Sequence, residues 1–325
     1  MLHRILVTAG VALGLAFGQA ALAQTSQTYP NKPVRIVQGF AAGGNADTIA
    51  RLIGNELAKT LNQSFIVEAM TGAGGTIASG AVAHANPDGY TLLLATGGHA
   101  VAAALYDKPP YRAADDYSMV STITFFPFLL VTRADSPYKN LADVLNAARA
   151  NPKAISYGTA GVGSTHHLAG ELLSRMANVD LLHVPYRGDA ASVTALLGGE
   201  IPFIIAPPTA VMPNIQAGKL RALATTGSDR WPGLPELPTV AEQGVPGYEV
   251  TSWAGLMAPA GTPRPVIETL NSAVQDALKV PQVQKRLADM GGVARGSTPE
   301  QMDAMVRSEL AKWTDVVKGA GIKQQ

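Results

Sequence analysis

The sequence contains no cysteine. A chain without cysteine forms no disulfides, so an exported form must rely on its core alone. Nor can it carry a lipid on an N-terminal cysteine. Aromatic residues are scarce, at 6%, and no basic block interrupts the chain. Lys and Arg number 25 against 24 Asp and Glu, a formal net charge of +1. Such a balance gives no electrostatic case for nucleic acid or a membrane surface as partner. Signatures of chemistry are missing as well. There is no Gly-x-x-x-x-Gly-Lys-Ser/Thr loop to cradle nucleotide phosphates and no Gly-x-Ser-x-Gly elbow to present a hydrolase nucleophile. No His-x-x-x-His pair or cysteine set suits zinc, and the adjacent His166 and His167 would point about 100° apart on a helix. Gly72-Ala73-Gly74-Gly75-Thr76-Ile77 and Gly161-Val162-Gly163-Ser164-Thr165-His166 open like a dinucleotide fingerprint, but Ile77 and His166 stand where its third glycine belongs. The expectation is no cofactor, no metal and no catalytic residue.

What is present begins with a leader. Met1-Leu2-His3-Arg4 is basic, residues 5–20 are apolar, and Ala21-Leu22-Ala23 is a small-x-small signal ahead of Gln24. This reads as a secretory signal peptide cleaved after Ala23 and excluded from the fold. The rival, an uncleaved anchor, is disfavoured because the apolar run is short for a span and ends in a cleavage motif. The leader carries one arginine and no acid, so the mature chain has no net charge. Nothing later reads as a membrane helix. An exported, unanchored globule fits the bacterial periplasm.

Of 325 residues, 47% are hydrophobic, enough for two domains or one large one. Strands and helices alternate after residue 31. Strands are expected at 34–40, 64–68, 90–95, 119–124, 128–132, 155–158, 181–185, 201–206, 220–225 and 251–257. Helices are expected at 48–53 and onward, 74–84, 141–150, 164–177, 189–198, 209–217, 265–278, 282–290 and 299–318. In the last, Met302, Met305, Val306 and Leu310 fall at helical spacing and read as core. The rhythm predicts an α/β fold with parallel-type sheets covered by helices, with ligands beyond the carboxyl ends of the strands. The chain is expected to cross between lobes near Thr124-Phe125-Phe126-Pro127 and Pro246-Gly247-Tyr248-Glu249. That makes lobe 1 residues 24–125 plus 249–325 and lobe 2 residues 126–248.

Two turns stand out. Phe40-Ala41-Ala42-Gly43-Gly44-Asn45-Ala46-Asp47 joins a strand to a helix. Small residues leave backbone N–H groups uncovered, and the helix N-terminus adds its positive end, so the turn suits an anion such as a carboxylate. Asp47 would repel an anion; it either caps the helix or meets a water or a donor on the ligand. The second turn, Gly161 to His166, places Gly163, Ser164, Thr165 and His166 at another helix start. His166 either donates to a ligand carboxylate or is a solvent-facing or capping histidine, and His99, after Thr96-Gly97-Gly98, is equally open. Thr96 adds a hydroxyl. Tyr186-Arg187-Gly188-Asp189 follows a further strand, with Arg187 a clamp or a surface residue. Phe40, Phe125, Phe126 and Phe128 could form an apolar wall.

Taken in order, these motifs resemble the tripartite tricarboxylate transporter substrate-binding proteins, the TctC or Bug family of periplasmic receptors. The likeness runs from Tyr29 to the C-terminus. It rests on Phe40-Ala41-Ala42-Gly43-Gly44 with Asp47, on Pro87-Asp88-Gly89-Tyr90-Thr91-Leu92-Leu93, and on Gly163-Ser164-Thr165-His166-His167-Leu168-Ala169-Gly170-Glu171. It continues through His183-Val184-Pro185-Tyr186-Arg187-Gly188, Ala217-Gly218-Lys219-Leu220-Arg221-Ala222-Leu223-Ala224, Leu237-Pro238-Thr239-Val240-Ala241-Glu242 and Ala258-Pro259-Ala260-Gly261-Thr262-Pro263. The resemblance implies a type II periplasmic binding-protein fold, two α/β lobes with a ligand cleft between them. It implies a monomeric receptor for a small organic carboxylate, held by Phe40 to Asp47 and Gly163 to His166 and delivered to the membrane subunits of a transporter. The chain departs from the pattern at Gly39, at Asn45-Ala46, and at Ala206-Pro207-Pro208, where many members have an aspartate. That last change argues against an amino-acid ligand. With His99 and the phenylalanines, it leaves room for a di- or tricarboxylate, including an aromatic dicarboxylate such as terephthalate. The alternative of another class is a secreted α/β hydrolase using Ser164 with a nearby histidine.

Overall fold

The structure, a computed structural model, describes residues 29–319. The expected leader, residues 1–23, lies outside the described residues. Two mixed sheets, each covered by helices, make up the fold. The first combines β1 (Val34–Gln38), β2 (Phe65–Ala69), β3 (Thr91–Thr96), β4 (Tyr117–Pro127), β10 (Thr251–Pro259) and β11 (Val293–Ala294), in the order β11-β4-β10-β3-β1-β2. The second combines β5 (Leu129–Arg133), β6 (Ser156–Thr159), β7 (Leu182–Pro185), β8 (Phe203–Ala206) and β9 (Leu220–Thr225), in the order β7-β6-β8-β5-β9. The chain passes from the first sheet to the second between Pro127 and Leu129 and returns between Thr225 and Thr251.

The sheets are not uniformly parallel, as the alternation of elements suggested. β1 runs parallel to β2 and β3, and β6 parallel to β7 and β8. In contrast, β10 is antiparallel to β3 and β4, and β5 is antiparallel to β8 and β9. The crossings explain this. A strand that leaves one sheet where its neighbours end must enter the other sheet from that same side. It therefore runs against the strands whose carboxyl ends converge there.

Helix α1 (Asn45–Leu61) buries Ala46, Ile49, Ala50, Ile53 and Leu57, the three-and-four spacing of one apolar face. Helix α5 (Thr165–Met176) lies so close on β6 that a Cβ on Gly170 would collide with the Tyr157 ring. In α10 (Pro299–Gly319), Met302 and Val306 are fully buried while Met305 and Leu310 flank the same core. One helix escaped the sequence reading: α3 (Gly98–Leu105), whose residues are nearly all buried. Buried on every side, it shows no amphipathic period. The expected helix at 74–84 is a 3-10 turn at Ala73–Gly75 followed by α2 (Thr76–Ala83). The remaining helices are α4 (Leu141–Ala150), α6 (Asp189–Gly198), α7 (Pro208–Gln216), α8 (Arg264–Lys279) and α9 (Pro281–Asp289). Among the described residues no helix is long and apolar enough to cross a membrane.

Candidate functional site

A cavity of about 240 Å³ opens where the strands of both sheets end. Phe40, Ala41, Ala42, Gly43, Gly44, Asn45 and Ala46 form one wall. This turn is fixed from beneath. Gln38, fully buried, donates through Nε2 to the Phe40 carbonyl at 2.9 Å and accepts the Phe40 N–H at 2.8 Å. Gly43, at φ 78°, occupies the left-handed region that glycine tolerates. Its N–H donates to Asp47 Oδ2 at 3.0 Å, and the Gly44 N–H donates to the Ala41 carbonyl at 3.2 Å.

The donors of Gly43 and Gly44 are therefore spent inside the turn. The next ones are not. No side chain caps α1 at Gly44, and the first N–H groups of a helix lack intrahelical acceptors, so those of Asn45 and Ala46, which border the cavity, have no acceptor among the described residues. Asp47 does not border the cavity. Its carboxylate, 3% exposed as a residue, also takes Arg51 Nε at 2.9 Å. Burial pushes its pKa up, but Arg51, the Gly43 N–H and Gln38 outweigh this and hold it below the usual carboxylate value.

The opposite wall carries Ser164, Thr165 and His166. Ser164 is the N-cap of α5. Its Oγ donates to the Gly161 carbonyl at 2.7 Å and accepts the His167 N–H at 3.3 Å. Both hydrogen-bonding roles of the hydroxyl serve the helix start, and neither adjacent histidine ring binds it, so nothing activates it as a nucleophile. Gly163 lies outside the cavity; a Cβ on Gly74 would come within 2.9 Å of its carbonyl oxygen, so the 3-10 turn at Ala73–Gly75 and the Gly161–Gly163 turn approach each other closely.

Thr96, at the end of β3, and Pro207, after β8, also border the cavity. Tyr186 lines an adjoining cavity of about 630 Å³ that shares Phe40, Ala41, Arg187 and Gly188 with the first. His99 reaches neither. It is buried in α3, with Nδ1 3.0 Å from Ser79 Oγ and Nε2 2.9 Å from the Ala113 carbonyl, and it stacks on Tyr111. Burial pushes its pKa down to about 4, against the raising effect of the Ala113 carbonyl. Of the phenylalanines weighed for an apolar wall, Phe40, Phe126 and Phe128 line the cavity and Phe125 does not.

Gly98, Gly188, Asp189, Ala190 and Ser252 complete the lining. Gly188, at φ 95°, is the N-cap of α6. Its place after a strand end was a readable signal; Ser252, brought in by β10, left none. The result is a convergence. Helices α1, α3, α5 and α6 begin at residues bordering this one cavity, and Pro207, the N-cap of α7, borders it as well. Their N-terminal dipoles and orphan N–H groups give it a positive lining with little formal charge. Among the described residues the lining holds two ionisable acidic or basic side chains besides His166: Asp189 and the exposed Arg187. Of the buried side-chain atoms without hydrogen-bond partners among the described residues, Asn45 Oδ1, both ring nitrogens of His166 and Asp189 Oδ1 belong to residues of this lining.

Behind the second wall lies a histidine pair. The rings of His167 and His183 stack at 4.1 Å, and His183 Nε2 meets Thr159 Oγ1 at 2.6 Å. Burial lowers the His167 pKa to about 4; burial, aided by His167 and His166, lowers that of His183 to about 3. Among the described residues no group of three or more His, Cys, Asp or Glu could hold a metal ion.

Comparison with known proteins agrees with this architecture. Residues 49–322 match the TctC model, the tripartite tricarboxylate transporter family receptor. The periplasmic binding protein BugD superposes with a TM-score of 0.85 at 36% identity, covering 91% of this chain and 100% of that one. Rpa4515 of R. palustris, solved with adipate, gives 0.86 at 38% identity, over 91% and 99% of the two chains. MatC of Rhodopseudomonas palustris, solved with bound malate, gives 0.83 at 38%, over 89% and 100%. The match over most of its length shows that the chain belongs to the tripartite tricarboxylate transporter receptor family, periplasmic solute-binding receptors rather than enzymes.

Proposed function

We propose that this receptor captures a small organic carboxylate in the cleft between its lobes and delivers it to the membrane subunits of a tripartite tricarboxylate-type transporter. The observation that carries this is the convergence of five helix N-termini on one cavity. A carboxylate there meets N–H donors from both lobes, so binding favours the closed arrangement. At about 240 Å³ the cavity is below the usual range for drug-sized ligands, about 300–1,000 Å³, which suits a small acid. Adipate and malate in the two similar structures point to a di- or tricarboxylate, and three phenylalanines leave an aromatic dicarboxylate such as terephthalate among the candidates. The gripping residues are Phe40 to Ala46 with Thr96, facing Ser164 to His166 and Pro207. Lobe 1 comprises residues 24–125 plus 249–325 and lobe 2 residues 126–248. The mature protein starts at Gln24 and acts as a monomer in the periplasm.

A thermal-shift screen of organic acids on the mature protein, stripped of co-purified ligand, tests the reading. An acid at 100 times its Kd stabilises the fold by about 2.7 kcal/mol. No response to any carboxylate would overturn it.

A further inference from the structure

Arg187 borders both cavities of the cleft, together with Phe40, Ala41 and Gly188. Among the described residues it is the only lysine or arginine on either lining. Arg35, Arg51, Arg112 and Arg264 each hold a carboxylate of the protein itself. Arg187 holds none among the described residues, and its exposed side chain has no hydrogen-bond partner there. The acids are divided unevenly as well. Asp189 borders the smaller cavity, whereas no aspartate or glutamate borders the larger one. A second negative group on a ligand is therefore opposed in the first cavity and favoured in the second, where nothing cancels the charge of Arg187. Phe40 and Ala41, shared by the two linings, are apolar, so the stretch of ligand lying against them is best made of hydrocarbon.

We propose that Arg187 binds the far carboxylate of a long dicarboxylate whose near carboxylate sits at the helix N-termini of the smaller cavity. The guanidinium presents parallel N–H donors that match both oxygens of a carboxylate. Its exposure at the boundary of the two cavities leaves those donors open to a ligand. A short diacid gains nothing from it, because its second charge stays in the smaller cavity with Asp189. A longer hydrocarbon spacer carries that charge past Phe40 into the larger cavity, about 630 Å³ in volume. A monocarboxylic acid of the same length reaches the same place and leaves Arg187 without a counter-charge. Arg187 is thus a specificity-determining residue, reading both the length of the acid and the charge at its far end. This inference rests on the carboxylate reading above and narrows its substrate class.

Calorimetry with acids of matched length tests it: succinate against butanoate, adipate against hexanoate, and suberate against octanoate. The quantity read is the affinity ratio of diacid to monoacid. It should be about twofold or less at four carbons and about fivefold or more at eight, a modest step because solvent screens an exposed ion pair. Raising the salt from about 0.05 M to about 0.5 M should shrink the eight-carbon ratio. Arg187→Gln should bring that ratio to about twofold or less. Arg187→Lys should keep part of it, since the charge remains without the planar fork. A cooperative melt like that of the unmodified protein shows that each variant folds. A ratio that is flat or falls with length, or one that survives Arg187→Gln, would overturn the inference and leave the carboxylate reading standing. So would failure of all six acids to bind while another carboxylate stabilises the protein in the thermal-shift screen. Silence in both experiments would remove both readings.

Discussion

The Gly43 N–H donates to Asp47 Oδ2 at 3.0 Å, an acid four residues along holding closed the turn that faces the cleft. An aspartate beside the proposed anion site looks contradictory in sequence. In three dimensions its charge points away, to Arg51 and Gln38, and its function is to shape the backbone whose next N–H groups remain free.

Removing that clamp should loosen the turn before it harms the fold. Asp47→Ala leaves the Gly43 N–H and Arg51 without their acceptor, at a cost of about 1–3 kcal/mol in urea unfolding. Asp47→Asn keeps an acceptor for Gly43 and should fall between that variant and the unmodified protein. Carboxylate affinity should drop in the same order. An alanine variant as stable and as tight-binding as the original would show that the clamp is dispensable.

Ser164 should behave as a helix cap and not as a nucleophile. Ser164→Ala removes the acceptor for the His167 N–H and should cost about 1 kcal/mol of stability. Ester hydrolysis by the purified protein, lost on this substitution, would contradict the assignment of the hydroxyl to the helix start.

Closure should depend on Gly74. A Cβ there meets the Gly163 carbonyl at 2.9 Å and the Val162 carbonyl at 3.2 Å, both backbone atoms of the facing turn that cannot swing aside. Gly74→Ala should weaken ligand affinity about tenfold or more by holding the lobes apart, with a stability loss of only about 1–2 kcal/mol from its left-handed backbone. Small-angle scattering with saturating ligand should show a less compact particle than the unmodified protein under the same conditions. Unchanged affinity and compaction would show that the two turns need not touch.

Acid should destabilise the protein through its buried histidines. His99, His167 and His183 have folded-state pKa values lowered to about 4, 4 and 3, against about 6.5 when unfolded. Between those limits the unfolded chain binds more protons, so stability falls as pH drops from about 6.5 toward 4. Glu171, held above its ordinary value mainly by burial, works the other way, losing stability as pH rises through its titration. Urea unfolding across this range should show a slope that His183→Gln flattens and Glu171→Gln steepens. A flat profile in the unmodified protein would rule out neutral buried histidines.

Much of this molecule was readable in its residues. Both glycine turns, the amphipathic faces of α1, α8 and α10, and the strand ends gathered at a cleft follow from local periodicity and from small residues at helix starts. Seven ordered motifs carried the family. The sequence did not reveal α3, because a helix buried on all sides has no polar face to mark its period. Nor did it show that His99 is a core residue, since a histidine at a strand end looks the same whether the next turn leads inward or out.

Sequence alone determined that the chain has the parts of a two-lobe α/β receptor with small-residue turns at its helix starts, because those depend on composition and on neighbours within a few residues. The tertiary structure decided which donors stay free, which way Asp47 faces, and that His166 meets Asp189 across 23 positions of chain. Hydrogen bonds are won by whichever group arrives within about 3 Å, and only the packing of one element on another sets that distance.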